Sequence, residues 1–161
     1  MRAIMSDVMR DSKVFAALAW LALASRPLDA QTQSRLSVAQ SIRCSFPTSA
    51  SGTWTPDGMP QGVVKPTKLV LIFDEINVDE GTARLRSGSS GAEIAVKFAG
   101  GYLNFMQSFK TGPLYTTTVF DKETTAGKFK AVHSRHEYYS TPLPGATSNP
   151  EQYYGECEVQ K

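Results

Sequence analysis

The chain has 161 residues, of which 41% are hydrophobic, and 17 Lys and Arg side chains against 15 Asp and Glu give it a net charge of +2. This length allows one hydrophobic core of ordinary size rather than several. The basic residues are scattered and form no run typical of a nucleic-acid interface, so we predict no nucleic-acid partner.

The first thirty residues have the three parts of a secretory signal peptide. Basic residues supply the start, residues 14–24 form an uncharged apolar run, and a small residue, Ala30, offers a cleavage point, with Ala24 as an alternative. The run is shorter than the roughly 20 apolar residues that a membrane-spanning helix needs. We therefore predict a signal peptide at 1–30, a lead-in at 31–39 and a β domain at 40–161. The mature protein is expected to be periplasmic or secreted, without stable membrane insertion after cleavage.

Two cysteines, Cys44 and Cys157, lie at the two ends of the mature chain. An even pair in an exported protein predicts a disulfide bond. A redox-active or nucleophilic thiol is the alternative, but the sequence has no Cys-x-x-Cys motif. The bond requires the first and last strands to be neighbours, with Cα atoms about 4.4–6.8 Å apart.

The mature chain has the alternation of apolar and polar residues that is typical of β-strands. Ile42, Cys44 and Phe46 share one face of a first strand, and similar segments follow to the end of the chain. About eight strands with short Gly-containing connections predict an all-β antiparallel domain, either a small barrel or a sandwich. Thr48–Pro66 and Thr141–Pro150, which are rich in Ser, Gly and Pro, are predicted to be long loops.

Both histidines of the chain lie in one predicted strand, Lys128–Tyr139. Because side chains alternate across a strand, His133 and His136 are expected on opposite faces, where they cannot share a metal ion without a bulge between them. No third or fourth ligand lies nearby in the sequence, as a zinc site requires. The acidic segment Asp74–Gly81 also lacks the spacing of an EF-hand calcium loop. We predict no metal site and no cofactor.

His133, Arg135 and Glu137 share the face of this strand that begins with Phe129 and Ala131. If those apolar residues point inward, the three polar side chains must be paired. One interpretation is a hydrogen-bonded cluster that fixes the strand register. The other is a ligand site in which Arg135 receives an anionic group and His133 donates a hydrogen bond to it. The sequence has no Gly-x-Ser-x-Gly motif, and we assign no catalytic residue.

Aromatic residues are frequent late in the chain, and most are expected in the core. In the pairs Tyr138-Tyr139 and Tyr153-Tyr154, one ring lies on each face of a strand. Trp54, Tyr138 and Tyr154 are therefore candidates for an exposed aromatic rim that contacts a partner. Together with His133, Arg135 and Glu137, they form the predicted ligand-binding set.

The segments GTARLRSG, TTTVF, KFKAVHSRH and QYYGECEV resemble those of a family of small exported bacterial β-rich proteins. This resemblance covers about Cys44–Val159 and implies a single exported domain, but no activity. We predict a non-enzymatic binding protein whose ligand is a small molecule or a protein. One alternative is an inhibitor of a secreted enzyme, and the other is an enzyme that uses His133, Arg135 and Glu137.

Each function predicts a different geometry. A ligand-binding barrel predicts an apolar cavity of several hundred Å³. An inhibitor predicts that Thr48–Pro66 or Thr141–Pro150 projects with exposed apolar residues. An enzyme predicts that His133, Arg135 and Glu137 converge in an open cleft.

Overall fold

The computed structural model describes residues 33–87, 90–138 and 149–160. The predicted signal peptide, Tyr139 and residues 141–148 of the second predicted loop lie outside this part of the chain. The described residues form eight β-strands: β1 Ile42–Trp54, β2 Pro60–Asn77, β3 Thr82–Ser87, β4 Ser90–Ala99, β5 Tyr102–Ser108, β6 Leu114–Glu123, β7 Phe129–His136 and β8 Glu151–Val159.

Each strand pairs in antiparallel fashion with the next strand in sequence, and β1 pairs with β8 to close a barrel. The predicted all-β antiparallel fold is confirmed, and of the two predicted architectures the structure is the barrel. Short turns connect the strands, as in the turn before Gly81, which has a φ of 75°. Glycine adopts this left-handed conformation at little cost because it has no Cβ.

The core fills the barrel with side chains from alternate strand positions. Ile42, Cys44 and Phe46 of β1 are fully buried, as the alternation predicted. Phe73 of β2 and Phe105 of β5 stack face to face across the interior, with ring centroids 3.9 Å apart. Burial of aromatic rings of this size is a major source of stability in a domain of this length.

The lead-in packs against the end of the barrel where β1 begins and β8 ends, which we call the closed end. Leu36 is fully buried in the core. Arg35 forms an ion pair with Glu123 at 2.8 Å and lies over the Phe129 ring. The Ser41 hydroxyl donates a hydrogen bond to Asp74. The lead-in is therefore part of the folded domain rather than a loose tail.

The predicted disulfide is confirmed: Cys44 of β1 and Cys157 of β8 are bonded and fully buried. The two residues are directly paired across the seam that closes the barrel. Their Cα atoms are 4.0 Å apart, which is below the predicted range. Directly opposed residues of antiparallel strands approach to about 4.5 Å in non-hydrogen-bonded pairs, which accounts for the short separation.

The prediction of a long loop at Thr48–Pro66 is wrong. Residues 48–54 and 60–66 continue β1 and β2 as a two-stranded hairpin, here called the hairpin arm, and only residues 55–59 form its turn. The β2–β3 pairing begins at Ile72, so this part of β2 has no described strand on its other side. Proline is tolerated at such an edge because the missing N–H removes no ladder hydrogen bond.

Within the described residues, no helix has the length and apolar character needed to cross a bilayer. The buried disulfide is compatible with an exported protein.

Candidate functional site

The strand β7 carries both histidines at the end of the barrel opposite the lead-in, which we call the open end. His133 points into the barrel with 4% of its surface exposed, whereas His136 is exposed on the outer face. The predicted separation of the two imidazoles is therefore confirmed. Among the residues that the structure describes, no three His, Cys, Asp or Glu side chains are placed to hold a metal ion.

His133 is held by hydrogen bonds on both ring nitrogens. Its Nδ1 lies 2.8 Å from the Thr117 hydroxyl of the neighbouring β6, and Arg135 Nε donates to its Nε2 at 3.4 Å. Because Nε2 accepts a hydrogen bond from Arg135, it is the unprotonated nitrogen, and Nδ1 carries the proton. Burial and then the Arg135 guanidinium lower the pKa of His133 from 6.5 to about 4, against the opposing effect of the Thr116 backbone.

This buried histidine predicts that stability falls as the pH is lowered from about 7 to about 4. In that window the unfolded chain binds a proton that native His133 does not, and below the native pKa the loss levels off. The expected loss is about 3 kcal/mol, at 1.36 kcal/mol per pKa unit. Urea unfolding at several pH values measures it. His133→Gln should flatten this dependence, and the exposed-site control His136→Gln should retain it. An unchanged slope in His133→Gln would contradict the assignment.

The two carboxylates of the open end are buried and hydrogen-bonded by tyrosines. Tyr115 donates to Glu137 at 2.7 Å, and Tyr153 donates to Glu151. Glu151 also forms an ion pair with Lys65 of the hairpin arm at 3.2 Å. Burial and the Glu151 hydrogen bond raise the pKa of Tyr153 to about 12, so its phenol remains a donor across the physiological range.

Arg135 lies between two aromatic rings rather than against a carboxylate. Its guanidinium carbon is 5.3 Å from the Tyr115 ring centroid and 5.1 Å from that of Tyr153. Among the described residues, no Asp or Glu lies within 4 Å of its nitrogens, so Arg135 and Glu137, although they share a strand face, do not form an ion pair. Cation–π contacts hold this half-buried charge in a fixed position.

The interior beside His133 is filled. The cavity that His133, Tyr115 and Thr117 help to line has a volume of about 10 Å³, which is about enough for one water molecule. Within the described part of the chain, the space beside His133 is far smaller than the several hundred Å³ that a ligand-binding barrel predicts. There His133 lines this small cavity, whereas the enzyme alternative predicts an open cleft.

A notch lies at the open end, where β8 begins between β1 and β7. It has a volume of about 330 Å³ and its walls are Ala50, Ser51, Gly52, Arg135, His136, Pro150, Glu151 and Gln152. Trp54 and Tyr138, each two residues beyond a lining residue, meet edge to face with ring centroids 5.7 Å apart. The two residues are 55% and 62% exposed.

The structure thus divides the six predicted ligand residues into two groups. His133, Arg135 and Glu137 belong to the inner face, and of these only Arg135 reaches the notch. Trp54 and Tyr138 meet beside the notch, and Tyr154, 44% exposed, donates a hydrogen bond to the notch residue Gln152 at 2.7 Å.

Sequence reasoning missed the inner partners Tyr115, Thr117, Glu151 and Tyr153. Alternation along β6 places Thr117 on the same face as buried Val119. It does not predict that β6 is a neighbour of β7, because the barrel topology sets the strand order.

Comparison of the chain with protein-family models, with curated proteins and with solved structures finds no match.

Proposed function

We propose that this protein is an exported, non-enzymatic binding protein and that the notch with its two aromatic rings is its binding surface. The observation that carries the proposal is the exposed Trp54–Tyr138 pair beside a groove of about 330 Å³. Trp, Tyr and Arg are the side chains that most often dominate binding energies, and all three are present here. The filled interior leaves the surface as the place for a ligand.

Export to the periplasm or the exterior is part of the same proposal. The disulfide supports it, because such bonds persist in oxidising compartments. The sequence of residues 1–30 supports it independently, through its basic start, short apolar run and small-residue exit.

A specific observation also favours the inhibitor alternative. The tip of the hairpin arm extends beyond the last β1–β8 pair, Ser51–Glu151, and carries Met59, which is 64% exposed. Val63 and Val64, 48% and 72% exposed, lie opposite Ser51 and Ala50 on the part of β2 that has no described strand on its other side. A projecting apolar segment is what an inhibitor of a secreted enzyme requires to enter a cleft. The second predicted segment for this role, Thr141–Pro150, lies largely outside the described residues.

We expect the double variant Trp54→Ala/Tyr138→Ala to lose the species that copurifies with the protein from its own host. Removal of both rings eliminates most of the apolar contact area of the notch, and a hot-spot ring contributes about 2 kcal/mol or more. Native mass spectrometry of the purified full-length protein measures the retained species directly.

The matched control is Tyr102→Ala, which removes a ring that is 49% exposed on β5. It should retain the bound species. If the control and the double variant behave alike, the notch is not the binding surface. If instead Met59→Ser/Val64→Ser alone removes a retained enzyme, the inhibitor alternative replaces the proposal.

A further inference from the structure

We infer that the notch takes a saccharide that carries a carboxylate, such as a uronic acid. The carboxylate would bind Arg135, and the sugar ring would lie against Trp54 and Tyr138. This inference rests on the proposed function and specifies the chemical class of its ligand.

The charge of Arg135 points to an anionic ligand group. Within the described part of the chain, this half-buried guanidinium has no carboxylate within 4 Å, and its Nε is the donor to His133. Arg135 lines the notch, and the Tyr115 and Tyr153 rings hold its guanidinium in place. A planar guanidinium in a fixed orientation matches the two oxygens of a carboxylate.

The nearby Glu151 does not cancel this preference. It also lines the notch, but it is 4% exposed and is already bonded to Lys65 and Tyr153. Both carboxylate oxygens of Glu151 have partners, and the positive charge of Lys65 lies directly against the carboxylate. Glu151 therefore repels an incoming anion less than an unpaired carboxylate would. Among the described residues that line the notch, Arg135 is therefore the charged side chain without an ion-pair partner.

The aromatic pair and the other notch residues point to a sugar rather than a simple carboxylate. The negative faces of Trp54 and Tyr138 suit the polarised C–H groups of a pyranose ring. Gln152, whose Oε1 accepts from Tyr154, keeps its amide N–H groups for a hydroxyl, and Ser51 and His136 offer further hydrogen bonds. Vicinal hydroxyls need such a mixture of donors and acceptors.

The geometry also disfavours an extended proline-rich peptide, which is the other common ligand of exposed aromatic rings. Such peptides lie along an aromatic-lined groove. Here the two rings are nearly perpendicular, with an interplanar angle of 86°, and they stand at one end of a short notch.

The binding experiment uses the exported protein, from which cleavage of the proposed signal peptide removes Trp20, so that Trp54 is the one tryptophan and its fluorescence reports beside the notch. Trigalacturonate is titrated near neutral pH, and its methyl ester, triglutamate and acetate are titrated in parallel. We expect a saturable change with trigalacturonate. The methyl ester should bind about tenfold more weakly or worse, because it lacks the charge that pairs with Arg135.

A pair of glycine variants tests the location of binding. Gly52 lines the notch, and an added Cβ there meets no atom within 4 Å. Gly52→Leu should therefore fill the notch without disturbing the fold and weaken binding of trigalacturonate at least about tenfold. Gly62 pairs directly with Gly52 on β2 and is equally open, but it does not line the notch. Gly62→Leu should bind as the parent does.

Arg135→Gln tests the carboxylate contact through the ratio of the acid and ester affinities, which should fall to near one. If this variant does not fold, the glycine pair still decides the location. Tighter or equal binding of triglutamate, equal binding of the ester, or no binding of trigalacturonate overturns the inference. The proposed function would then still be judged separately by the species that Trp54→Ala/Tyr138→Ala loses.

Discussion

Replacement of both Cys44 and Cys157 by alanine is expected to lower the free energy of unfolding by about 4–5 kcal/mol. The bond closes a loop with a sequence separation of 113 residues, and in the chain-entropy model a loop of about this length restricts the unfolded chain by that amount. Both sulfurs lie in the core at the β1–β8 seam, which joins the first and last strands. Pairing of β1 with β8 closes the longest loop of the barrel and therefore costs the most loop-closure entropy. Loss of the bond weakens this pairing.

Urea unfolding of the wild type and the double variant, followed by circular dichroism, measures this difference. Wild type unfolded in the presence of a reductant should move towards the variant, and the reductant should not affect the variant. The described residues contain no free cysteine that could form a different bond. A double variant that unfolds at the wild-type urea concentration would contradict the prediction.

The alternation of side chains is sufficient to predict the inner face of β1 and the separation of the two histidines. Both depend only on the period of two along an extended chain, which holds wherever a strand forms. The disulfide is predictable for a different reason, the even number of cysteines in a chain with a signal-like start. His133 shares the buried face of Phe129 and Ala131, as that period requires once those two residues point inward.

The arrangement between strands was not predictable in the same way. The partners of Arg135 on β6 and β8, Tyr115 and Tyr153, depend on strand order and register, which local sequence does not encode. The hairpin arm was mistaken for a loop because its Gly and Pro residues usually mark turns. In this barrel the edge of β2 has no described neighbour there, so proline does not interrupt a ladder.

The burial of Leu36 in the lead-in is likewise not predictable from the local sequence pattern. Leu36 lies in a short, mostly polar segment in which no periodicity marks it as core. It is fully buried as part of the same core cluster as Phe129. Burial of this kind is dictated by the finished fold and not by the local pattern.

Gly155→Ala is expected to destabilise the protein by more than about 3 kcal/mol, at the upper end of the range for steric overpacking. Gly155 of β8 lies opposite the irregular β1 register between Ser45 and Thr48. A Cβ at this position would meet the Ser45 carbonyl oxygen far inside van der Waals contact and lie 2.8 Å from Phe46 Cα. Because both obstacles are backbone, the clash is relieved only if β1 and β8 separate.

Thermal and urea unfolding of Gly155→Ala measure this cost, and two alanine variants provide graded controls. At Gly62 an added Cβ meets nothing within 4 Å, so Gly62→Ala should leave the free energy of unfolding nearly unchanged. At Gly91 the obstacle is the flexible Arg84 side chain at 2.6 Å, which can move aside at small cost. Wild-type stability in Gly155→Ala would mean that the seam opens easily, and the disulfide alone would then hold the barrel closed.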